Sequence, residues 1–147
     1  MTIRPMDLKD YDSAYRLWLH TPGMGLNTSD DSREGIARFL TRNPSTCFVA
    51  EDARGLAGVI MAGHDGRRGY IYHTAVAQDR RRQGIARQLV EAALAALEQE
   101  GIHKAALVAY RRNETGNAFW ESLGFTTRED LVYRNRSMHP LEQVEFL

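Results

Sequence analysis

A chain of 147 residues that is 43% hydrophobic and 26% charged predicts one globular domain, since a chain of this length buries about 68–70% of its unfolded surface. Its 19 basic residues balance 19 acidic ones, which removes the global electrostatic case for a nucleic-acid or anionic-membrane protein and leaves only a local basic patch to argue for an anion. No apolar run approaches the ~18 residues of a membrane span, and Asp7, Lys9 and Asp10 interrupt any leader-like apolar stretch, so a cytoplasmic protein is expected.

Residues 2–4 read as a first strand. Met6, Leu8, Tyr11, Ala14, Tyr15 and Trp18 then recur at helical spacing up to His20, where Pro22, Gly23 and Gly25 end the pattern. Turn chemistry without periodicity over residues 20–30 predicts a mobile surface loop. Asp31-Ser32-Arg33-Glu34 resembles a capping box with Asp31 as the acidic N-cap, followed by a helix bearing Ile36, Phe39 and Leu40 and stopped by Asn43-Pro44. Residues 46–50 and 56–62 are β-rich runs joined by Asp52-Ala53-Arg54-Gly55. The lone cysteine, Cys47, falls in the first of them and is expected to be a small buried hydrophobe. A second turn, residues 63–69, leads into a strand over 70–76, which makes three consecutive antiparallel strands. The longest helical stripe follows: Ile85, Leu89, Val90, Ala93, Leu94 and Leu97, closed at Gly101. Residues 104–110 predict a central strand and residues 115–123 a short helix ended by Gly124. Residues 125–128 and 131–136 predict two last strands. The order predicts a mixed α/β fold, a mostly antiparallel sheet with helices on both faces.

Chemistry concentrates between residues 70 and 94, where a strand passes through Asp79-Arg80-Arg81-Arg82-Gln83-Gly84-Ile85-Ala86 directly into the longest helix. The first N–H groups of a helix lack internal partners, the macrodipole adds partial positive charge, and a glycine admits a ligand close to the main chain. Arg80, Arg81, Arg82 and Arg87 supply charge-assisted donors suited to phosphate. Arginines in a row also make an ordinary solvated turn, but the strand, glycine and helix around them favour an anion site. No Lys-Ser or Lys-Thr follows Gly84, which excludes a P-loop, and the Gly-x-Gly-x-x-Gly dinucleotide fingerprint is absent.

Arg81-Arg82-Gln83-Gly84-Ile85-Ala86 resembles the Gln/Arg-x-x-Gly-x-Gly/Ala signature of the GNAT superfamily of acetyl-CoA-dependent N-acetyltransferases. Asn113, followed by Trp120 and then Leu123-Gly124-Phe125, resembles that family's second cofactor segment. The turn at residues 63–69 is similar to one in a small bacterial subgroup of acetyltransferases with unassigned substrates. The resemblance covers nearly the whole chain as a single domain, 1–147, and implies a GNAT fold with a six- to seven-stranded sheet. It also implies acetyl-CoA as co-substrate. By position, the backbone of Thr74, Ala75 and Val76 would pair with the pantetheine arm, and Arg81, Arg82, Gln83, Gly84, Ile85 and Ala86 would cradle the pyrophosphate beside Arg87. Asn113 would bond the pantetheine and Trp120 would pack along it. Asn113 is equally well read as a turn-forming Asn after a strand.

The implied reaction is direct attack of a neutral primary amine on the thioester, which needs a base, a donor for the carbonyl oxygen and a proton for the leaving thiolate. Many family members place an acidic Tyr where this chain has Trp120, whose indole N–H does not titrate in the useful range. The candidates to replace it are Tyr110, Tyr133 or water. The strand 70–76 carries no carboxylate, and strict alternation places Tyr70, Tyr72 and Thr74 on one face and Ile71, His73 and Ala75 on the other. An imidazole ordinarily titrates near neutrality, which makes His73 the chemical choice for the base, although a lone strand His is commonly a hydrogen-bonded structural residue. The catalytic candidates are therefore His73, Tyr72 and Tyr133. His64 and Asp65 either shape the preceding turn or line the acceptor entrance.

His20, His103 and His139 lack ligand spacing, so no metal is expected. The expected partner is a small-molecule or peptide amine acceptor, with no nucleic acid or membrane and a monomer or homodimer. The missing Tyr and carboxylate leave one rival reading, a non-catalytic acyl-CoA-binding module of the same fold. The tail 141–147, with Val144, Phe146 and Leu147, is free to pack on its own domain or on a second subunit.

Overall fold

The computed structural model describes residues 1–145. Five strands, β1 (Thr2–Pro5), β2 (Phe48–Asp52), β3 (Gly55–His64), β4 (Gly69–Val76) and β5 (Ala105–Ala106), lie side by side in chain order. Neighbours are antiparallel as far as β4, and β5 joins parallel. Helices α1 (Tyr11–Leu19) and α2 (Arg33–Arg42) precede β2, and α3 (Ile85–Gln99) connects β4 to β5. The last helix, α4 (Glu114–Ser122), follows β5.

The sheet is apolar on both sides and has a core on each. Ala14, Trp18, Ile36 and Leu40 of α1 and α2 bury Val49, Val59, Met61 and Ala75 on one face. Ile85, Leu89, Val90, Ala93 and Leu97 of α3 bury Ala50, Ile60, Ala62 and Ile71 on the other, where Phe119, Trp120 and Phe125 extend the cluster. The α3 stripe is the one expected from its spacing, and α3 ends at Gly101, whose φ of 81° is left-handed. Gly58 is a close approach: a Cβ there would stand 3.0 Å from Leu89 and 3.2 Å from Ile85.

Several expectations are corrected. The sheet has five strands, not six or seven: residues 125–128 and 131–136 form no ladder, and Leu131, Val132 and Tyr133 are exposed. Strand propensity alone does not make a strand, because the backbone groups need a partner edge, and β5 offers only two residues of one. For the same reason residues 104–110 are not a central strand; only Ala105 and Ala106 pair, at the sheet's edge. The first helix starts at Tyr11, not at Met6, after a single tight turn over Leu8–Asp10 capped by Asp7. Asp31 is not the N-cap of α2. Ser32 is, its Oγ accepting from the Gly35 N–H at 3.0 Å. Residues 20–30 are tied down rather than loose: Leu26 is buried, and Leu26 and Thr28 exchange backbone hydrogen bonds of 3.0 and 2.8 Å with Val144 and Glu142. The tail therefore packs on its own domain as far as Val144, while Phe146 and Leu147 lie outside the described residues.

Candidate functional site

The turn before α3 has the geometry of an anion cradle. Arg82 and Gly84 both adopt left-handed backbone, with φ of 65° and 76°, and Arg82 is the only non-glycine residue that does so among the described residues. Such a conformation costs a non-glycine residue about 1–3 kcal/mol, and alternating handedness turns successive N–H groups toward one point. No side chain caps α3. The first N–H that bonds within the helix is that of Gln88, to the Gly84 carbonyl at 3.1 Å, so those of Ile85, Ala86 and Arg87 remain available. A Cβ at Gly84 would meet nothing within 4 Å, so glycine is required there by its φ, and the space before it is open. Arg81, Arg82, Gln83 and Arg87 are exposed around this opening, whereas the Ile85 side chain belongs to the core. Arg80 departs from expectation: it is buried and bound by both guanidinium nitrogens to Asp52, so it bolts the turn to the β2–β3 hairpin and is not a phosphate donor. These residues fit a pyrophosphate.

The second feature is an open edge. β4 pairs with β5 only through Gly69 and Tyr70, so from Ile71 to Val76 one side of its backbone, including Thr74, Ala75 and Val76, has no ladder partner. On the other side it pairs with β3, but not regularly. Ile60 faces Thr74 and Ala62 faces Ile71, so Met61 alone opposes both Tyr72 and His73. This β-bulge corrects the expected alternation. Tyr70, Tyr72 and His73 all line one cleft on the α1–α2 face, while Ile71 is buried on the α3 face.

That cleft has a volume of about 780 Å³ and runs along β4 between α2 and the β3–β4 turn. Beside the bulge, His73 is paired with Asp31, Nε2 to Oδ1 at 2.6 Å, with side chains 14% and 6% exposed. Oδ2 of Asp31 accepts from the Asn27 N–H at 2.9 Å. The Asp31 carbonyl accepts from the Tyr11 hydroxyl at 2.7 Å. The His73 ring sits edge-on to buried Trp18, centroids 4.9 Å apart. Since an ionised carboxylate only accepts, Nε2 carries the hydrogen in the neutral ring, and Nδ1 keeps the lone pair. Nδ1 has no hydrogen-bond partner among the described residues.

Aromatic rings line the same wall. Tyr70 and Tyr72 have centroids 4.6 Å apart, and Tyr72 stands edge-on to Phe39 at 5.6 Å. Burial pushes the Tyr70 and Tyr72 phenols above their ordinary range, with nearby Tyr133 adding to both and Asp30 to Tyr72, so both stay protonated at neutral pH. Tyr133 is exposed, near enough to Tyr70 and Tyr72 to bear on both phenols. The Tyr110 hydroxyl lies over Gly25, another residue of the cleft wall: a Cβ there would be 3.6 Å from it.

Asn113 is the N-cap of α4, its Oδ1 accepting from the Gly116 N–H at 3.0 Å, which is the turn role that its position after a strand suggested. Trp120 packs edge-on between Phe119 and Phe125 at 5.1 and 5.3 Å. His64 and Asp65 shape the β3–β4 turn and line the cleft as well. The Gly66 N–H donates to His64 Nδ1, and the Arg67 and Arg68 N–H groups donate to Asp65 Oδ1. Asp31 is the residue sequence reasoning missed as a site member, because 42 positions separate it from His73 and its local context is that of a cap.

Comparison with known proteins shows the family and the fold. Residues 11–125 match the acetyltransferase (GNAT) family. A protein described as an acetyltransferase from Sodalis glossinidius (strain morsitans) is 30% identical over 132 residues, 90% of this chain and 92% of that protein. N-alpha-acetyltransferase 30 of Schizosaccharomyces pombe is 33% identical over 101 residues, 65% of this chain and 67% of that protein. The PaiA N-acetyltransferase from Thermoplasma acidophilum, solved in complex with coenzyme A, superposes with a TM-score of 0.76 at 16% identity, over 87% of this chain and 91% of that one.

Proposed function

Because the chain belongs to the acetyltransferase (GNAT) family, we propose that it moves an acetyl group from acetyl-CoA to a primary amine, on a peptide N-terminus or a small molecule, by direct attack. The observation that carries this reading is the His73–Asp31 pair, set on the β4 bulge between the open backbone edge and the acceptor cleft. Acetyl-CoA supplies an activated acyl group on a sulfur leaving group. The open N–H groups at Ile85, Ala86 and Arg87, with Arg81, Arg82 and Gln83 around them, hold its pyrophosphate. The Thr74 to Val76 edge aligns its amide-bearing arm as an added strand.

His73 takes the amine's proton on Nδ1, while Asp31 holds Nε2–H and so fixes both tautomer and ring orientation. As the nitrogen–carbon bond forms, a backbone N–H near Val76 stabilises the carbonyl oxygen. When the carbon–sulfur bond breaks, the thiolate takes a proton from Tyr72 in the cleft wall or from neighbouring Tyr133, and the proton taken by His73 returns to that phenolate through solvent. The products are an amide and a free thiol. Trp120 serves by packing. The α-amine of a peptide is supported as acceptor by the relative named as an N-alpha-acetyltransferase. A cytoplasmic location fits a chain none of whose described helices is long and apolar enough to cross a membrane.

The test is thiol release from acetyl-CoA in the presence of polyamines, amino acids, aminoglycosides and N-terminal peptides, with the acetylated product identified by mass. Release that depends on an amine supports the proposal. Tight acetyl-CoA binding without release for any amine would return the chain to the reading of a non-catalytic binding module.

A further inference from the structure

The acceptor cleft is polarised. Asp31 stands at its His73 end, and Arg42 and Arg68 line it where Asn43 meets His64 and the β3–β4 turn. Arg42 closes α2, and Arg68 comes from the β3–β4 turn. The fold holds these two elements together. The Asn43 side chain, at the end of α2, accepts from the His64 N–H at 3.0 Å. Gly63 lets them approach, since a Cβ there would fall 2.7 Å from Asn43 and 2.8 Å from Phe39.

The carboxylates nearest this end are committed elsewhere. Glu100 bonds His64 and Ser45 at 2.7 and 2.8 Å, and Asp65 accepts from backbone N–H groups. Arg4, Arg33, Arg54, Arg80 and Arg128 are each paired with an Asp, whereas Arg38, Arg42 and Arg68 have no carboxylate partner among the described residues. Asp65 is the carboxylate of this end, and its Oδ1 is already taken up by the Arg67 and Arg68 N–H groups, so the Arg42 and Arg68 guanidiniums are left to join a further anion.

We propose that the acceptor is bipolar: its amine is delivered at His73, and an anionic group, carboxylate or phosphate, is bound by Arg42 and Arg68. From His73 back to Arg68 along β4 is about 15 Å, which an extended peptide spans in roughly four residues. The reacting molecule is therefore a peptide N-terminus with an acidic group within its first few residues, or a small amine of similar reach. The inference rests on the acetyltransfer reading for the amine end, but anion recognition is measured separately from turnover.

The experiment compares Ala-Gly-Gly-Glu-amide, Ala-Gly-Gly-Gln-amide and Ala-Gly-Gly-Lys-amide, by calorimetric binding to the full chain in the presence of coenzyme A and by thiol release with acetyl-CoA. The Glu peptide is expected to bind about tenfold tighter than the Gln peptide, the scale of a charge-assisted contact at a partly exposed site. In the double variant Arg42→Glu with Arg68→Glu the order is expected to reverse in favour of the Lys peptide. Arg42→Ala with Arg68→Ala should flatten the preference if reversal compromises folding. Equal binding of the Glu and Gln peptides by the folded wild type, or a preference that survives both double variants, overturns the inference. A preserved preference without thiol release from any peptide refutes acetyl transfer and leaves the anion site standing; release without preference does the opposite.

Discussion

Replacing Asp31 by Asn separates a catalytic role for His73 from a structural one, because the buried carboxylate satisfies two donors at once: His73 Nε2–H through Oδ1 and the Asn27 N–H through Oδ2. An Asn in the same pose keeps one acceptor for Asn27 and presents an NH₂ to the ring. The imidazole answers by moving its hydrogen to Nδ1 and accepting on Nε2. Both hydrogen bonds survive, so the loss of stability should stay within about 1 kcal/mol, a fall in Tm of roughly 2–4 °C for a domain of this size. The atom that must take the amine's proton is now blocked, and kcat should fall by about two to four orders of magnitude at unchanged KM for acetyl-CoA. Asp31→Ala differs: it orphans two buried donors at about 1–3 kcal/mol each and should lower Tm by several times as much. The assay is steady-state thiol release across pH, alongside thermal melts, for wild type, Asp31→Asn and His73→Gln. The rise of kcat/KM with pH in the wild type should be lost in His73→Gln. An Asp31→Asn enzyme that melts like wild type and keeps its kcat would refute the argument, because a ring that only props up the fold works equally well in either tautomer.

Three further outcomes follow from other parts of the molecule. Cys47 is fully buried, and burial pushes its thiol up to about 12 against a smaller opposing effect of the Ala62 backbone. A thiolate fraction on the order of 10⁻⁴ at pH 8 makes it inert to a thiol reagent until the chain unfolds, and stoichiometric labelling of the native protein would contradict this. In the Arg4 cluster, burial pushes the Asp10 carboxyl up, but hydrogen bonds from Arg4 and the Asp7 N–H outweigh it and hold it below the usual range. The Arg4 hydrogen bond holds Glu51 low as well. Carboxylates depressed in the fold contribute stability above their unfolded values near pH 4, and that stability is lost as pH falls through the folded values. Arg4→Met should therefore raise the midpoint of acid unfolding, and an unmoved midpoint would remove the cluster from the account. Trp120→Phe should keep most of the turnover, and a loss of several orders of magnitude at unchanged cofactor affinity would count against a packing role.

The anion turn was legible because its signal is local: strand, arginines, glycine and helix start are contiguous, and the chemistry of a helix N-terminus does not depend on distant residues. Even there, the spacing does not distinguish Arg81 and Arg82, which face the opening, from Arg80, whose partner Asp52 lies 28 positions away. The helices were legible from their apolar periods. The His73–Asp31 pair beside the cleft was not, since it depends on three-dimensional accidents of register. A single extra residue in β4 moves His73 to the face that carries Tyr72, and a cap displaced from Asp31 to Ser32 frees a carboxylate to meet the ring. Neither leaves a mark in composition or period. The expected last strands failed for a related reason: Leu131, Val132 and Tyr133 have strand propensity, but the short β5 gives them no edge to join.

The central claim is that acetyl-CoA enters through the turn before α3, and calorimetric titration of acetyl-CoA into wild type and Gly84→Asp tests it most directly. The substitution places a side chain in space that holds no other atom of the chain within 4 Å and a negative charge before the open N–H groups of α3. A modest loss of stability is expected, about 1–2 kcal/mol for a non-glycine residue in left-handed backbone, so the variant remains folded. The account predicts saturable binding to the wild type and none to the folded variant. Binding of equal affinity to both would contradict it.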